Sequence, residues 1–354
     1  MKITFCIHGC ATKPIGGHKV LYECANRLAD RGYDITIVFP SYDNLYQLPL
    51  PVSCRVLICK VLTDYLHIMP NWFKFDKRII LRTVRDYNER YFPDADVVIA
   101  SALETAQPVY ELPPRCGKKA YLIQDYENWA NSDDEVNASY QLGMRNITIS
   151  NWLKDIVEKH SKDPVWCIPN AIDTETFRIQ TKPEKRNLHT VGLLYHSGEH
   201  KGLKFAFEAL NILKEQYPDL HVEIFGATRP EVNLPNWYSF YYRLNPQELC
   251  NLYNRCSVFL CATVEEGFGL TGAESMACGC AFVSTGYKGV YEYAEDEKTA
   301  LLSPIKDAGK LAANVKRIFE DDSLRLRLAY AGAEEMRKRS WDSFIDELEK
   351  AITN

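Results

Sequence analysis

The stretch Glu265-Glu266-Gly267-Phe268-Gly269-Leu270-Thr271-Gly272-Ala273-Glu274 sets glycines and carboxylates between an apolar run and a helical one. Before it, Ser257–Ala262 reads as a buried strand. After it, Thr271–Cys278 reads as a helix that Gly279 stops. A strand, a glycine-broken turn and a helix, in that order, form the ligand-facing corner of a parallel sheet. Gly267 and Gly269 let the backbone approach an anion closely, and the free N–H groups of a helix start favour phosphate. Glu266 and Glu274 straddle that anion site, an arrangement suited to sugar hydroxyls on one side and ribose hydroxyls on the other. Taken alone, the segment also fits a plain glycine turn before a surface helix with solvated glutamates.

Outward from this segment the chain alternates strands and helices. Lys2–His8, Asp34–Phe39, Ala95–Ala100, Lys119–Ile123 and Asn146–Ser150 are short apolar or β-branched runs, and His18–Arg31 carries Val20, Leu21, Cys24, Ala25 and Leu28 at helical spacing. Gly32 is placed to end that helix in a left-handed conformation. After Ile168-Pro169-Asn170 the pattern restarts, with strands at His189–Leu194, Leu220–Phe225 and Phe282–Thr285 and a helix over Lys201–Glu215. Asn245-Pro246-Gln247-Glu248 has the capping residue, the first-turn proline and the returning glutamate of a helix start. From about Lys306 the tail is helical and charged. The expectation is an α/β protein with two doubly wound sheets.

The 354 residues exceed one ordinary hydrophobic core. A formal net charge of −5 gives no support to a nucleic-acid partner. No signal peptide is read at Met1-Lys2-Ile3-Thr4, and no apolar run reaches the ~18 residues of a membrane span. The 12 cysteines include no Cys-x-x-Cys pair, and Cys278-Gly279-Cys280 lacks a second pair for zinc, so reduced thiols in a cytoplasmic protein are expected. The run Tyr65–Phe75, followed by Lys77, Arg78, Arg82 and Arg85, has two readings. It either packs as part of a helix in the first domain or gives peripheral contact with an anionic membrane.

Glu266 and Glu274, with seven residues between them, resemble the signature of the retaining, family-four, group 1 type glycosyltransferases of GT-B fold. Ile168-Pro169-Asn170-Ala171-Ile172-Asp173 with Phe177 resembles that family's interdomain segment, and Gly16-Gly17 its N-terminal double-glycine loop. Cys278-Gly279-Cys280 sits where the family has its Gly-x-Pro strand entry. The resemblance implies two Rossmann-like domains facing across a cleft. Their expected bounds are 1–168 on the acceptor side and 169–335 for the nucleotide sugar, with a C-terminal helix, 336–354, returning to the first domain.

By the same resemblance, Glu266 binds sugar hydroxyls, while Phe268, Gly269 and Leu270 offer N–H groups to the sugar and distal phosphate. Glu274 holds the ribose, and Lys201 matches the phosphate-binding lysine. Five positions earlier the family carries an arginine where this chain has His196. Either His196 does a weaker version of that work or Arg229 supplies the charge. Gly16 and Gly17 would present N–H groups to the pyrophosphate, and Tyr242 and Arg243 fall in the nucleobase loop. Gln124-Asp125-Tyr126-Glu127 replaces a histidine region in a way that resembles rhamnosyltransferases and related cell-surface polysaccharide enzymes. Asp125 or Glu127 is the candidate acceptor of the acceptor hydroxyl's proton.

The implied activity is sugar transfer from a nucleotide sugar to a glycan or lipid-linked acceptor with retention, without metal or cofactor, at the cytoplasmic face of a membrane. The chain would serve polysaccharide or glycoconjugate synthesis. A sugar-nucleotide epimerase and a non-catalytic nucleotide-binding subunit are the rivals on the same fold. A dehydrogenase is disfavoured, since no Gly-x-Gly-x-x-Gly follows the first strand.

Overall fold

The computed structural model describes residues 1–40, 49–129, 131–231 and 233–353. The chain forms two compact units, one of Met1–Pro169 with Asp342–Asn354, the other of Asn170–Trp341.

In the first unit the order is β1 (Lys2–Cys6), α1 (Gly16–Asp30), β2 (Asp34–Pro40), α2 (Val52–Lys60), β3 (Ile80–Val84) and β4 (Val97–Ala100). It continues with α3 (Leu103–Tyr110), β5 (Lys118–Ile123), α4 (Asp133–Ser139), β6 (Arg145–Thr148), α5 (Asn151–Val157) and β7 (Trp166–Cys167). The strands run parallel in the order β3-β2-β1-β4-β5-β6-β7. The predicted apolar stripe of α1 is buried, and Gly32 takes φ +86° as its turn requires.

The second unit runs β8 (Thr190–Leu194), α6 (Leu203–Gln216), β9 (His221–Gly226), β10 (Tyr238–Tyr242), α7 (Pro246–Arg255) and β11 (Val258–Cys261). Then come α8 (Leu270–Ala277), β12 (Ala281–Thr285), β13 (Ala300–Ser303), α9 (Ala308–Glu320) and α10 (Asp322–Arg337). Its parallel sheet has the order β10-β9-β8-β11-β12-β13. Both sheets reverse direction beside their first strand, at β1/β4 and β8/β11, which is where doubly wound sheets open a ligand crevice beyond the strands' carboxyl ends. The capping box of α7 forms as read, with Glu248 N–H donating to Asn245 Oδ1 at 3.0 Å and Asn245 N–H to Glu248 Oε2 at 2.9 Å.

The helix α11 (Trp341–Thr353) packs in the first unit with Phe344, Ile345, Leu348, Ala351 and Ile352 buried. It is shorter than the expected 336–354, because α10 continues to Arg337 in the second unit, and Asn354 lies outside the described residues. Arg31 Nη1 meets Asp346 and Glu349 at 2.7 Å each. Arg145 Nη1 and Lys118 Nζ donate to the last-turn carbonyls of Ala351 and Thr353 at 2.5 and 3.0 Å. Cations at those orphan carbonyls suit the negative end of the helix.

Four strands escaped the sequence reading: β3, β7, β10 and β13. All four are edge strands; β7 is only two residues long, β10 is only partly buried, and β3 is interrupted by Arg82. The aromatic run Tyr65–Phe75 is not helical beyond Tyr65: a π-helical turn, Val61–Tyr65, extends α2, and the rest is irregular. Trp72, Phe73 and Phe75 nonetheless pack on the buried ring of Tyr22, with centroids 5.5, 5.2 and 4.7 Å away.

Candidate active site

In the second unit the two loops at the sheet's reversal are stitched together. After β8, residues 195–202 pass through a 3₁₀ turn, Glu199–Lys201, to Gly202 at φ +61°. A Cβ there would lie 2.0 Å from the carbonyl oxygen of Ala262, so only glycine fits. After β11, the N–H groups of Val264 and Glu265 donate to the His200 carbonyl at 2.7 and 3.3 Å. The stitching brings together residues far apart in sequence: Lys201 Nζ lies 2.7 Å from Glu266 Oε1, both side chains mostly buried.

His196 sits in the same loop. Its Nδ1 accepts the Gly198 N–H at 3.0 Å, which leaves any proton of the neutral ring on Nε2. Its ring meets that of His200 edge-on at 5.5 Å. Burial, then the Lys201 charge, hold both imidazoles below the ordinary histidine range, and Glu266 only partly offsets this. The site therefore has one fixed cation and two neutral imidazoles.

The opening of α8 follows. Gly269 caps it at φ +105°, and a Cβ at that position would stand 1.9 Å from Tyr287 Oη. Tyr287 Oη donates to the Phe268 carbonyl at 3.3 Å and lies 2.7 Å from Tyr293 Oη, so a buried tyrosine pair sets the turn. The first bonds to Gly269 O come from Gly272 and Ala273, at 3.1 and 3.3 Å, leaving the Leu270 and Thr271 N–H groups ahead of the helix ladder. Phe268 is buried against Tyr293 at 5.1 Å, and Glu274, on the next turn, is only 5% exposed.

A residue the sequence reading passed over holds the far end of this helix. Arg186, 7% exposed, donates to the carbonyls of Cys278 at 2.6 Å, Gly279 at 3.0 Å, Cys256 at 3.0 Å and Thr181 at 2.7 Å. An arginine in an irregular segment carries no sequence signal for such a role.

Arg229 goes elsewhere than expected for a phosphate ligand. Its guanidinium lies 4.7 Å from the Tyr242 ring centroid, and that of Arg243 lies 5.1 Å away. Among the described residues Arg229 shares no ion pair or hydrogen bond with His196 or Lys201. Tyr242, 39% exposed at the end of β10, is thus a ring flanked by two cations.

In the first unit Gly16 and Gly17 do not precede the helix but form its first turn. The first α1 bond is Lys19 N–H to Ile15 O, so the glycine N–H groups lie ahead of the ladder. Gln124, just beyond β5, donates to Gly17 O at 3.2 Å. His18, unassigned from sequence, places Nε2 3.2 Å from His8 O and 3.3 Å from Gly9 O, and burial holds it below the ordinary histidine range. Asp125 Oδ1 accepts the Tyr126 N–H at 2.9 Å. Glu127 Oε2 accepts the Leu103 N–H at 2.5 Å, capping the start of α3. Burial pushes the Glu127 carboxyl up to about 7, against the lowering effect of that bond. A cavity of about 770 Å³ lies in this unit at the amino ends of β4–β7, beside Val97, Lys118 and Arg145. Ligands of doubly wound sheets bind at the opposite strand ends, so it is set apart from the candidate site.

The whole chain superposes on Staphylococcus aureus TarM, in a complex containing UDP, with TM-score 0.76 at 11% identity, covering 100% of both chains. Anabaena HepE in complex with UDP-glucose matches with TM-score 0.75 at 16% identity over 100% of this chain and 99% of its own. These likenesses establish the fold as two Rossmann-like units of the GT-B type. The O-antigen biosynthesis protein RfbC of Myxococcus xanthus is 26% identical over 270 residues, 74% of this chain and 21% of its own length. The Campylobacter jejuni N,N'-diacetylbacillosaminyl-diphospho-undecaprenol alpha-1,3-N-acetylgalactosaminyltransferase is 26% identical over 53% of this chain and 47% of its own length. The chain thus spans about half or less of these relatives. Residues 173–335, which hold His196, Lys201, Arg229, Tyr242 and the whole segment from Glu266 to Glu274, match the family Glycosyl transferases group 1.

Proposed function

We propose that the chain is a retaining glycosyltransferase that moves a sugar from a nucleoside-diphosphate sugar to a glycan or lipid-linked acceptor. The observation that carries this reading is the Lys201–Glu266 pair beside the start of α8, at the reversal of a parallel sheet. There a cation and helix N–H groups can hold a diphosphate while a carboxylate orients the sugar. Glu274 is assigned the ribose, and Tyr242 with Arg243 the base. HepE and TarM have been solved with UDP-glucose and UDP, so uridine diphosphate sugars are the first donors to try. Relatives named for O-antigen synthesis and for a diphospho-undecaprenol acceptor favour cell-surface polysaccharide or glycoconjugate work at the cytoplasmic face of a membrane. Among the described residues no helix is long and apolar enough to cross a membrane.

In this reading the acceptor oxygen bonds to the anomeric carbon on the face the diphosphate leaves, and the bond to the diphosphate breaks with its electron pair. The acceptor's proton passes to a departing phosphate oxygen or to Asp125. Lys201 and the α8 N–H groups stabilise the leaving charge, each such donor being worth about 10²–10³ in turnover. That assignment needs no divalent ion or cofactor.

The neutral His196 in place of an arginine keeps one rival in view, a nucleotide-binding subunit without turnover. Thermal shift against a panel of nucleotide sugars, followed by turnover with and without chelator, tests the proposal. Donor binding without transfer or hydrolysis supports the subunit, an epimerised donor supports an epimerase, and loss of activity in chelator removes the metal-free mechanism.

A further inference from the structure

The surface of the first unit is unevenly apolar. Seven of the seventeen exposed large hydrophobic side chains among the described residues fall between Leu50 and Ile68, a small fraction of the chain. Leu57, Val61 and Tyr65, at 62, 40 and 69% exposure, repeat every fourth residue along α2 and its π-helical extension, so they form one outward row. Leu66 and Ile68, at 55 and 52%, continue it.

The opposite face of the same segment is fixed. Cys59 and Thr63 are buried beneath it, and the Asp64 carboxylate accepts the Thr83 N–H of β3 at 2.9 and 3.1 Å. Trp72, Phe73 and Phe75 are already spent on Tyr22. The outward row is therefore a built face and not spill-over from the core. Isolated exposed apolar residues are ordinary; a contiguous row of this kind marks an interaction surface.

Charge selects the partner. Between residues 49 and 75 the only acidic side chain is Asp64, turned inward, whereas Lys60, His67 and Lys74 are exposed. The chain as a whole carries −5, so this cationic rim is local. Arg78 and Arg82 take no part, the first being held by Asp76 and Asp30 and the second by the Tyr91 carbonyl. We propose that this face docks on an anionic lipid surface. The row from Leu57 to Ile68 enters the headgroup layer, and Lys60 and Lys74 meet lipid phosphates. The inference does not depend on the sugar-transfer reading.

The test is co-sedimentation of the full chain with vesicles of phosphatidylcholine, alone or with about 30% phosphatidylglycerol. Wild-type protein should bind the anionic vesicles and be released as salt rises toward ~0.5 M. Leu57→Ser with Tyr65→Ser and Leu66→Ser should lower binding about tenfold without moving the melting temperature, since all three side chains are exposed. Lys60→Glu with Lys74→Glu should abolish the preference for anionic vesicles. Failure of the wild-type chain to bind, or full binding by the triple variant, overturns the proposal. A triple variant that turns an oligomer into a monomer, with no vesicle binding by either form, assigns the face to a protein partner instead.

Discussion

The ammonium of Lys201 and the carboxylate of Glu266, 65 positions apart in sequence, form an ion pair of 2.7 Å at the mouth of α8. Each is the other's occupant where a diphosphate and a sugar are proposed to bind. A nucleoside diphosphate must draw Lys201 away from Glu266, whereas a nucleotide sugar supplies both replacements at once. Glu266→Gln should therefore bind the free nucleoside diphosphate more tightly, by roughly threefold to tenfold, while losing turnover. Lys201→Ala should lose about tenfold or more in affinity for the same ligand. Calorimetric titration of both variants checks this, and weaker nucleotide binding by Glu266→Gln would break the proposed competition.

The paired imidazoles make nucleotide binding sensitive to pH. His196 and His200 are held low by burial and by Lys201, and a bound diphosphate would raise them. Binding should then take up protons and tighten as pH falls from 8 toward about 6. His196→Arg should tighten binding at pH 8 and flatten the profile, because a guanidinium keeps its charge. The empty protein should show the reverse trend. With folded-state values below the unfolded ones, the unfolded chain binds more protons, so stability falls as pH drops through about 6.5. Dissociation constants and melting temperatures across this range, with and without nucleotide, separate the two signs.

Legibility in the sequence followed the range of the interaction. Gly32, the Asn245–Glu248 cap and the turn before α8 each depend on a few neighbouring residues, and each was readable. The His200 carbonyl that gathers Val264 and Glu265, the Arg186 guanidinium and the Tyr287–Tyr293 pair depend on distant backbone arriving at one place. No periodicity announces them. The edge strand β10 is hidden for a related reason: ladder bonds on one side and half-exposed side chains remove the alternation that marks a strand. Gly16 and Gly17 read as a loop in the sequence because glycine is a poor helix former, yet at a first turn that weakness matters little.

Glu127 and Asp125, two alternatives in sequence, divide in the structure. Glu127 is committed to the Leu103 N–H and is raised to about 7 chiefly by burial. A raised carboxyl means the folded chain binds more protons than the unfolded one, so stability is lost as pH climbs from about 4.5 through 7. Glu127→Gln keeps an acceptor for the helix and removes this penalty. It should melt higher than wild type at pH 8 and no higher at pH 4, with turnover largely kept. Asp125→Asn should instead lower turnover with little change in melting, as expected if its carboxylate receives the acceptor's proton. Equal losses of turnover in the two variants would contradict this division of roles.

Arg186 offers a stability test that reaches the site through one helix. Its guanidinium joins the carbonyls of Cys278 and Gly279, just past the end of α8, to two neighbouring segments at Cys256 and Thr181. Arg186→Met fills similar volume but leaves these buried acceptors without their donor, at a cost of about 3 kcal/mol. Arg186→Lys should recover only part of it, since an ammonium has three donors and no planar fork. Because the same helix presents Leu270 and Thr271 N–H groups at its other end, Arg186→Met should also weaken nucleotide binding at temperatures well below its melting point. Saturating nucleotide should then raise the variant's melting temperature by less than it raises the wild type's. An equal rise in the two would limit Arg186 to holding the second unit together.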